Sequence, residues 1–200
     1  MANGHIEPEI EKVRQDWQFA QKPQLFLRDQ AGRFEEVTDG SGDGFQSRLV
    51  GRGVATADVD GDGDLDILIT TNGGPAHLLR NDLIALGGGN SATAGSPGNN
   101  FVRVRVIDTG LNRDAIGARL VLKASNGREQ TRFIRTGGSY LSQSELAATF
   151  GLGKNDHVDS LTIHWPTGKT EELSGLSINQ TLVIEAGKGR VTPPAAVKAP

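Results

Sequence analysis

Residues 54–70 read VATADVDGDGDLDILIT, with aspartates at positions 58, 60, 62, 64 and 66 set between two apolar runs. In an extended chain, side chains two apart share a face. Five carboxylates on alternating positions would therefore line up and repel one another. Gly61 and Gly63 lie among them and let the backbone turn sharply, because glycine reaches positive φ without steric cost. The flanking runs are short and rich in Val, Thr and Ile, which suits strands. The stretch thus reads as a strand, a tight acidic loop and a second strand, with a cation called for inside the loop.

Counted as a metal loop, Asp58, Asp60 and Asp62 occupy positions one, three and five, and Gly63 takes the turn at position six. Asp64 would offer its backbone carbonyl at position seven and Asp66 a carboxylate at position nine. Hard oxygen donors in this number suit Ca2+, which accepts six to eight of them. The loop is not an EF-hand. Its twelfth position is Ile69 rather than a bidentate glutamate, and its flanks are β-like, so the ion would staple a hairpin. A second stretch, DGSGDG at 39–44, imitates the start of such a loop with Asp39, Ser41, Asp43 and Gly44. It has Ser47 at position nine and Val50 at position twelve and reads as a flexible turn.

The rest of the chain supports a mainly β architecture. Of 200 residues 27 are glycine, and 36% are hydrophobic, a balance that many short strands joined by turns produce and long helices do not. A net charge of −3 provides no basic footprint for nucleic acid. The longest apolar runs are too short to span a bilayer. With no cysteine, disulfides, thiolate metal sites and cysteine nucleophiles are excluded. The N-terminus MANGHIEPEI carries no signal peptide pattern.

Ile6, Ile10, Val13 and Trp17 fall at helical spacing and predict an amphipathic helix over 6–17 within an N-terminal extension, 1–22. Residues 23–86 then read as a run of short strands: two around the Asp-Gln-Ala-Gly turn in QLFLRDQAGRFEEVT, strands at 53–58 and 65–71, and another in AHLLRN. GGGNSATAGSPGNN at 87–100 cannot bury apolar surface and marks a linker. Over 101–187 an antiparallel sandwich or barrel is expected. Val102, Val104 and Val106 alternate with Arg103 and Arg105; Leu161, Ile163 and Trp165, then Leu182 and Ile184, repeat the pattern. Further strands are expected near 118–124, 129–135 and 147–151. The tail 188–200 reads as disordered. A nonspecific protease should therefore cut first in 87–100 or after Lys188 and leave 100–187 as a folded piece; first cuts within 101–185 would move the boundary.

GRGVATADVDGDGDLDILITTNGGPAHLLRN resembles the FG-GAP type repeat, the calcium-bearing blade of integrin-α-like β-propellers. NRDAIGARL at 112–120, GGSYLSQSE at 137–145, FGLG at 150–153 and HWPTG at 164–168 resemble the ASPIC and UnbV domain, and NGHIEP at 3–8 resembles the last propeller stretch of that family. The resemblance implies a secreted or surface-exposed binding protein without catalytic residues, with calcium held by Asp58, Asp60, Asp62, Asp64 and Asp66. Propellers need at least four blades of roughly 40–50 residues each. Residues 1–86 supply one blade and part of another, so the chain is expected to be a fragment, a degenerate product or a module that completes its sheet differently.

No nucleophile–base pair stands out. His157 and His164 are seven apart, and an odd separation on a strand sends side chains to opposite faces. His5 is expected to fix a loop through hydrogen bonds. Ser142 and Ser144 read as turn residues, and Asn112, Arg113 and Asp114 as a turn held by an internal ion pair. Tyr140 and Trp165 are expected in the core. Two functions remain: an adhesion-type, calcium-stabilised module for an unknown protein or glycan ligand, or a subunit that completes its sheet as a homo-oligomer. Ile10, Val13 and Trp17 of the helix offer an alternative cover for the apolar strand LDILIT.

Overall fold

The computed structural model describes residues 1–29, 31–82 and 99–191. The chain forms two compact units, and the division does not follow the sequence. Met1–Ala57, Asp66–Arg80 and Gly137–Ser144 make the first; Asp58–Leu65, Asn81–Thr136 and the chain from Glu145 onward make the second. The linker expected over 87–100 lies outside the described residues except for its last two.

In the first unit, β1 (Phe26–Arg28) and β2 (Phe34–Glu36) form the expected hairpin, turned at Gly32 with φ +86°. β3 (Gly51–Ala57), β4 (Asp66–Thr71) and β5 (His77–Leu79) make an antiparallel meander in the order β3-β4-β5. Among the described residues that is one strand short of the four in a propeller blade. Ile69 at its centre is buried.

The predicted amphipathic helix is a single turn, α1 (Ile10–Val13). An antiparallel bridge joins Gly4 to Ala20, which brings the two ends of this stretch together. A helix over 6–17 would hold its ends ~18 Å apart, so the bridge excludes it. Ile10 alone of the expected stripe is buried; Ile6, Val13 and Trp17 are exposed, and the helix is no cover for LDILIT. NGHIEP instead packs by backbone. The Gly51 N–H donates to the Asn3 carbonyl at 2.8 Å, and Arg52 donates to the carbonyls of Gly4 and His5. His5 does fix its loop: its Nδ1 accepts the Glu7 N–H at 3.0 Å, and its own N–H donates to the Phe19 carbonyl.

Residues 137–144 belong to this unit through β3. Ser142 Oγ donates to the Val54 carbonyl at 2.9 Å, and Ser144 Oγ accepts the Thr56 N–H at 3.0 Å. The two serines therefore satisfy part of an edge that would otherwise invite another strand. Ser144→Ala should destabilise the fold by about 1 kcal/mol, read as a lower urea midpoint; an unchanged midpoint would mean that the edge does not depend on this bond. Tyr140, expected in the core, is exposed.

The second unit is a sandwich rather than a barrel. One sheet runs β11-β10-β7-β8, from Thr170–Leu173, Val158–His164, Arg119–Ala124 and Glu129–Phe133. The other runs β13-β12-β6-β9, from Gly189–Val191, Thr181–Glu185, Asn100–Ile107 and Ala148–Gly153. Their inner faces share one core: Val102, Val104 and Val106 of β6, Phe150 of β9, Leu120 and Leu122 of β7, Leu161 and Ile163 of β10, Leu182 and Ile184 of β12, with Trp165. The Trp165 Nε1–H is buried without a hydrogen-bond partner.

The sandwich is not wholly antiparallel, because β12 pairs with β6 in parallel. Parallel neighbours cannot be joined by a hairpin. The chain meets this by passing from β11 in one sheet to β12 in the other. β13 lies within the expected disordered tail, where Gly189–Val191 pair with β12. The NRD turn is held chiefly by Asn112, whose side chain accepts the Ile116 N–H at 3.0 Å and donates to its carbonyl at 2.8 Å. Its ion pair, Arg105 to Asp114 at 3.7 Å, is largely exposed.

Candidate metal centre

The acidic loop closes the β3–β4 hairpin, since Ala57 and Asp66 are cross-strand partners. Gly61 and Gly63 adopt φ of +81° and +95°, the left-handed conformations the spacing required. The loop is wound on its own aspartates. Asp58 accepts the Gly61 N–H on Oδ1 at 2.7 Å and the Gly63 N–H on Oδ2 at 3.2 Å. Asp62 Oδ1 accepts the Asp64 N–H at 2.9 Å, and Asp60 Oδ1 the Asp62 N–H at 3.4 Å.

This winding gathers carboxylate oxygens of Asp58, Asp60 and Asp62 within 4.8 Å of one another. Two oxygens on one calcium, each 2.3–2.6 Å away, are at most ~5 Å apart, so the three carboxylates fit the ion. Asp64 and Asp66 are buried and fall outside this group of three. Asp66 is instead the first residue of β4. Asp39 and Asp43 of the imitating stretch stand on two separate single turns of 3-10 helix, Thr38–Gly40 and Asp43–Phe45.

Arg103 and Glu145, which the spacing did not single out, complete the surroundings. Val102 and Val104 point into the sandwich core, so Arg103 points outward from the same strand. There its Nη1 lies 3.6 Å from Asp58 Oδ2, and its Nη2 pairs with Glu145. The Asp58 N–H donates to Glu145 Oε1 at 3.4 Å. The group is largely shielded: side-chain exposure is 1% for Asp58, 15% for Glu145 and 18% for Arg103. Phe101 shares this outward side and lies directly against Gly63. A Cβ on that glycine would come within 2.2 Å of the ring.

The remaining candidates form no site with this loop. His157 bonds to Asp156 at 2.7 Å, which draws the Asp156 carboxyl below its ordinary range. His164 bonds to Thr170 at 3.2 Å. Parity does not separate the two histidines, because β10 is irregular. A bulge between Val158 and Ser160 shifts the register, so Val158 and Leu161, three apart, both reach the core. The histidines are separated by length instead, at the two ends of β10 and more than ~20 Å of strand apart. Among the described residues no helix is long and apolar enough to cross a membrane.

The family model described as FG-GAP-like repeat matches residues 16–69, and that described as ASPIC and UnbV matches residues 108–191. Cartilage acidic protein 1 of Xenopus tropicalis is 35% identical over 161 residues, 78% of this chain and 23% of the relative. Its Mus musculus counterpart is 33% identical over 146 residues, 72% of this chain and 21% of the relative. The Homo sapiens protein is 33% identical over the same length, with 20% of its own chain covered. The chain spans about a fifth of the length of these curated relatives. Joining an FG-GAP-like repeat to an ASPIC and UnbV segment in that order, the chain belongs to the ASPIC and UnbV family.

Proposed function

We propose that the chain is a calcium-stabilised, non-catalytic recognition module of an extracellular protein, with a protein or glycan as its ligand. The observation that carries this reading is the gathering of Asp58, Asp60 and Asp62 within 4.8 Å on a loop closed by two left-handed glycines. Three converging carboxylates repel one another without a cation, and their oxygens are the hard donors that calcium takes. The FG-GAP-like match over 16–69 supports the same ion, and the name cartilage acidic protein supports an extracellular matrix setting.

Calorimetric titration of the whole chain tests the metal. Calcium should give a saturating heat that magnesium does not match, because magnesium demands near-octahedral geometry and shorter bonds. A chain silent to calcium would end the proposal. Self-assembly is a second reading, favoured by one observation. Leu68 and Leu78 are cross-strand partners on the β3-β4-β5 sheet, and both are exposed. Since the serines of 137–144 occupy part of β3, the association would run through β5 and this apolar pair. Sedimentation over a hundredfold range of concentration should then show mass rising with concentration; a constant monomer mass would remove this reading.

A further inference from the structure

We propose that the calcium loop is a structural part of the sandwich, and that Arg103 is the positioning residue through which the ion stabilises the β6–β9 sheet. The inference rests on the calcium reading above and concerns what the ion acts upon. By chain order the loop belongs to the β3–β4 hairpin, and an ion there would be expected to tighten that hairpin. By packing, however, Asp58–Leu65 belongs to the second unit.

Two contacts on the outward side of β6 make the attachment. One is apolar: Gly63 packs against the Phe101 ring, with no room for a Cβ. The other is ionic and largely buried. Arg103 reaches Asp58 with Nη1 and Glu145 with Nη2, and its Nε–H is buried without a partner. Compensation for burying the guanidinium therefore rests on those two carboxylates, and a buried charge that loses its partner is strongly unfavourable. Asp58 serves the loop and the sandwich together. It binds the N–H groups that wind the loop, groups with Asp60 and Asp62, and accepts Arg103.

An ion that fixes Asp58 fixes the anchor of Arg103, and Arg103 is fixed to β6. Linkage is reciprocal, so a folded sandwich also presents a loop already wound for the ion. The alternative, a loop that binds calcium without consequence for the sheet behind it, predicts a different pattern of protection.

Hydrogen exchange of the full chain, with calcium chloride as the only addition, tests the proposal beside a calorimetric titration. At calcium a hundred times its Kd, openings that release the ion should become ~100-fold rarer. Exchange in 100–107 and 148–153 should slow by about that factor, together with the loop. In Arg103→Met, measured at a hundred times its own Kd, calcium should still bind while slowing of 100–107 and 148–153 falls to less than about a tenth of the wild-type factor. Arg103→Lys should recover part of the effect, because an ammonium is a point charge without the fork that spans two carboxylates. Glu145→Gln should act in the same direction as Arg103→Met and serves if that variant does not fold. Calcium heat with protection confined to 58–66 overturns the coupling and leaves the calcium reading standing. Full protection of the sheet in folded Arg103→Met or Glu145→Gln overturns the role of Arg103. Absence of heat together with unchanged exchange overturns the calcium reading and this inference with it.

Discussion

Calcium at a hundredfold excess over its Kd should stabilise the folded chain by ~2.7 kcal/mol, and Asp60→Ala combined with Asp62→Ala should remove that gain entirely. For a chain of this length, 1 kcal/mol moves the melting midpoint by roughly 2–4 °C, so the calcium-dependent rise is about 5–11 °C. Substituting Asp60 and Asp62 leaves Asp58, the anchor of the loop, in place. Asp58 also accepts the Gly61 and Gly63 N–H groups and pairs with Arg103, so its removal would unwind the loop as well as empty it. Asp60 and Asp62 each accept one exposed or partly exposed N–H of the next turn. The melting midpoint of the double variant without calcium is the baseline from which its rise is read. A calcium-dependent rise that survives both substitutions would place the ion elsewhere.

Gly63→Ala should destabilise the second unit by about 2–5 kcal/mol, while Gly61→Ala should cost only ~1–2 kcal/mol. Both glycines hold positive φ, at +95° and +81°, so an L side chain is strained at either. They differ in what a Cβ would meet. At Gly61 nothing lies within 4 Å, whereas at Gly63 three atoms of the Phe101 ring lie within 2.5 Å. Phe101 is 7% exposed and has little room to swing aside, so the loop would have to lift from the sheet. Urea unfolding of the two variants isolates the contact by difference. Equal losses would mean that Gly63 is required for its turn and not for its seat on Phe101.

Several elements were legible because their cause is local. The hairpin around Gly32, the β3–β4 hairpin and the loop between its strands follow from residue types at fixed offsets, and a turn glycine or an alternating aspartate acts within a few residues of itself. Strands β6, β7, β10 and β12 were legible for a related reason. A valine or leucine on every second position declares which face must be buried, and Val102, Val104, Leu161, Ile163, Leu182 and Ile184 are buried as that rule requires. β11 and β13 carry no such alternation in TEEL and GRV. Each forms because a neighbouring strand offers an open edge, a condition set at a distance. The helix expected over 6–17 is reduced to one turn for the same reason. Its periodicity was real, but the bridge from Gly4 to Ala20 required the segment to fold back.

By itself the sequence determined the acidic loop, its turn glycines, the mainly β class and the inward face of each alternating strand, since all of these depend on backbone geometry within a single element. Alternation also placed Arg103 and Arg105 on the outward side of β6. It could not say what would cover them. Only the tertiary structure seated Gly63 on Phe101, set Arg103 between Asp58 and Glu145, and grouped 58–65 with the sandwich and 137–144 with the β3-β4-β5 sheet. Those choices depend on close approach and buried charge between residues as many as 88 positions apart, and neither spacing nor composition carries information over that separation.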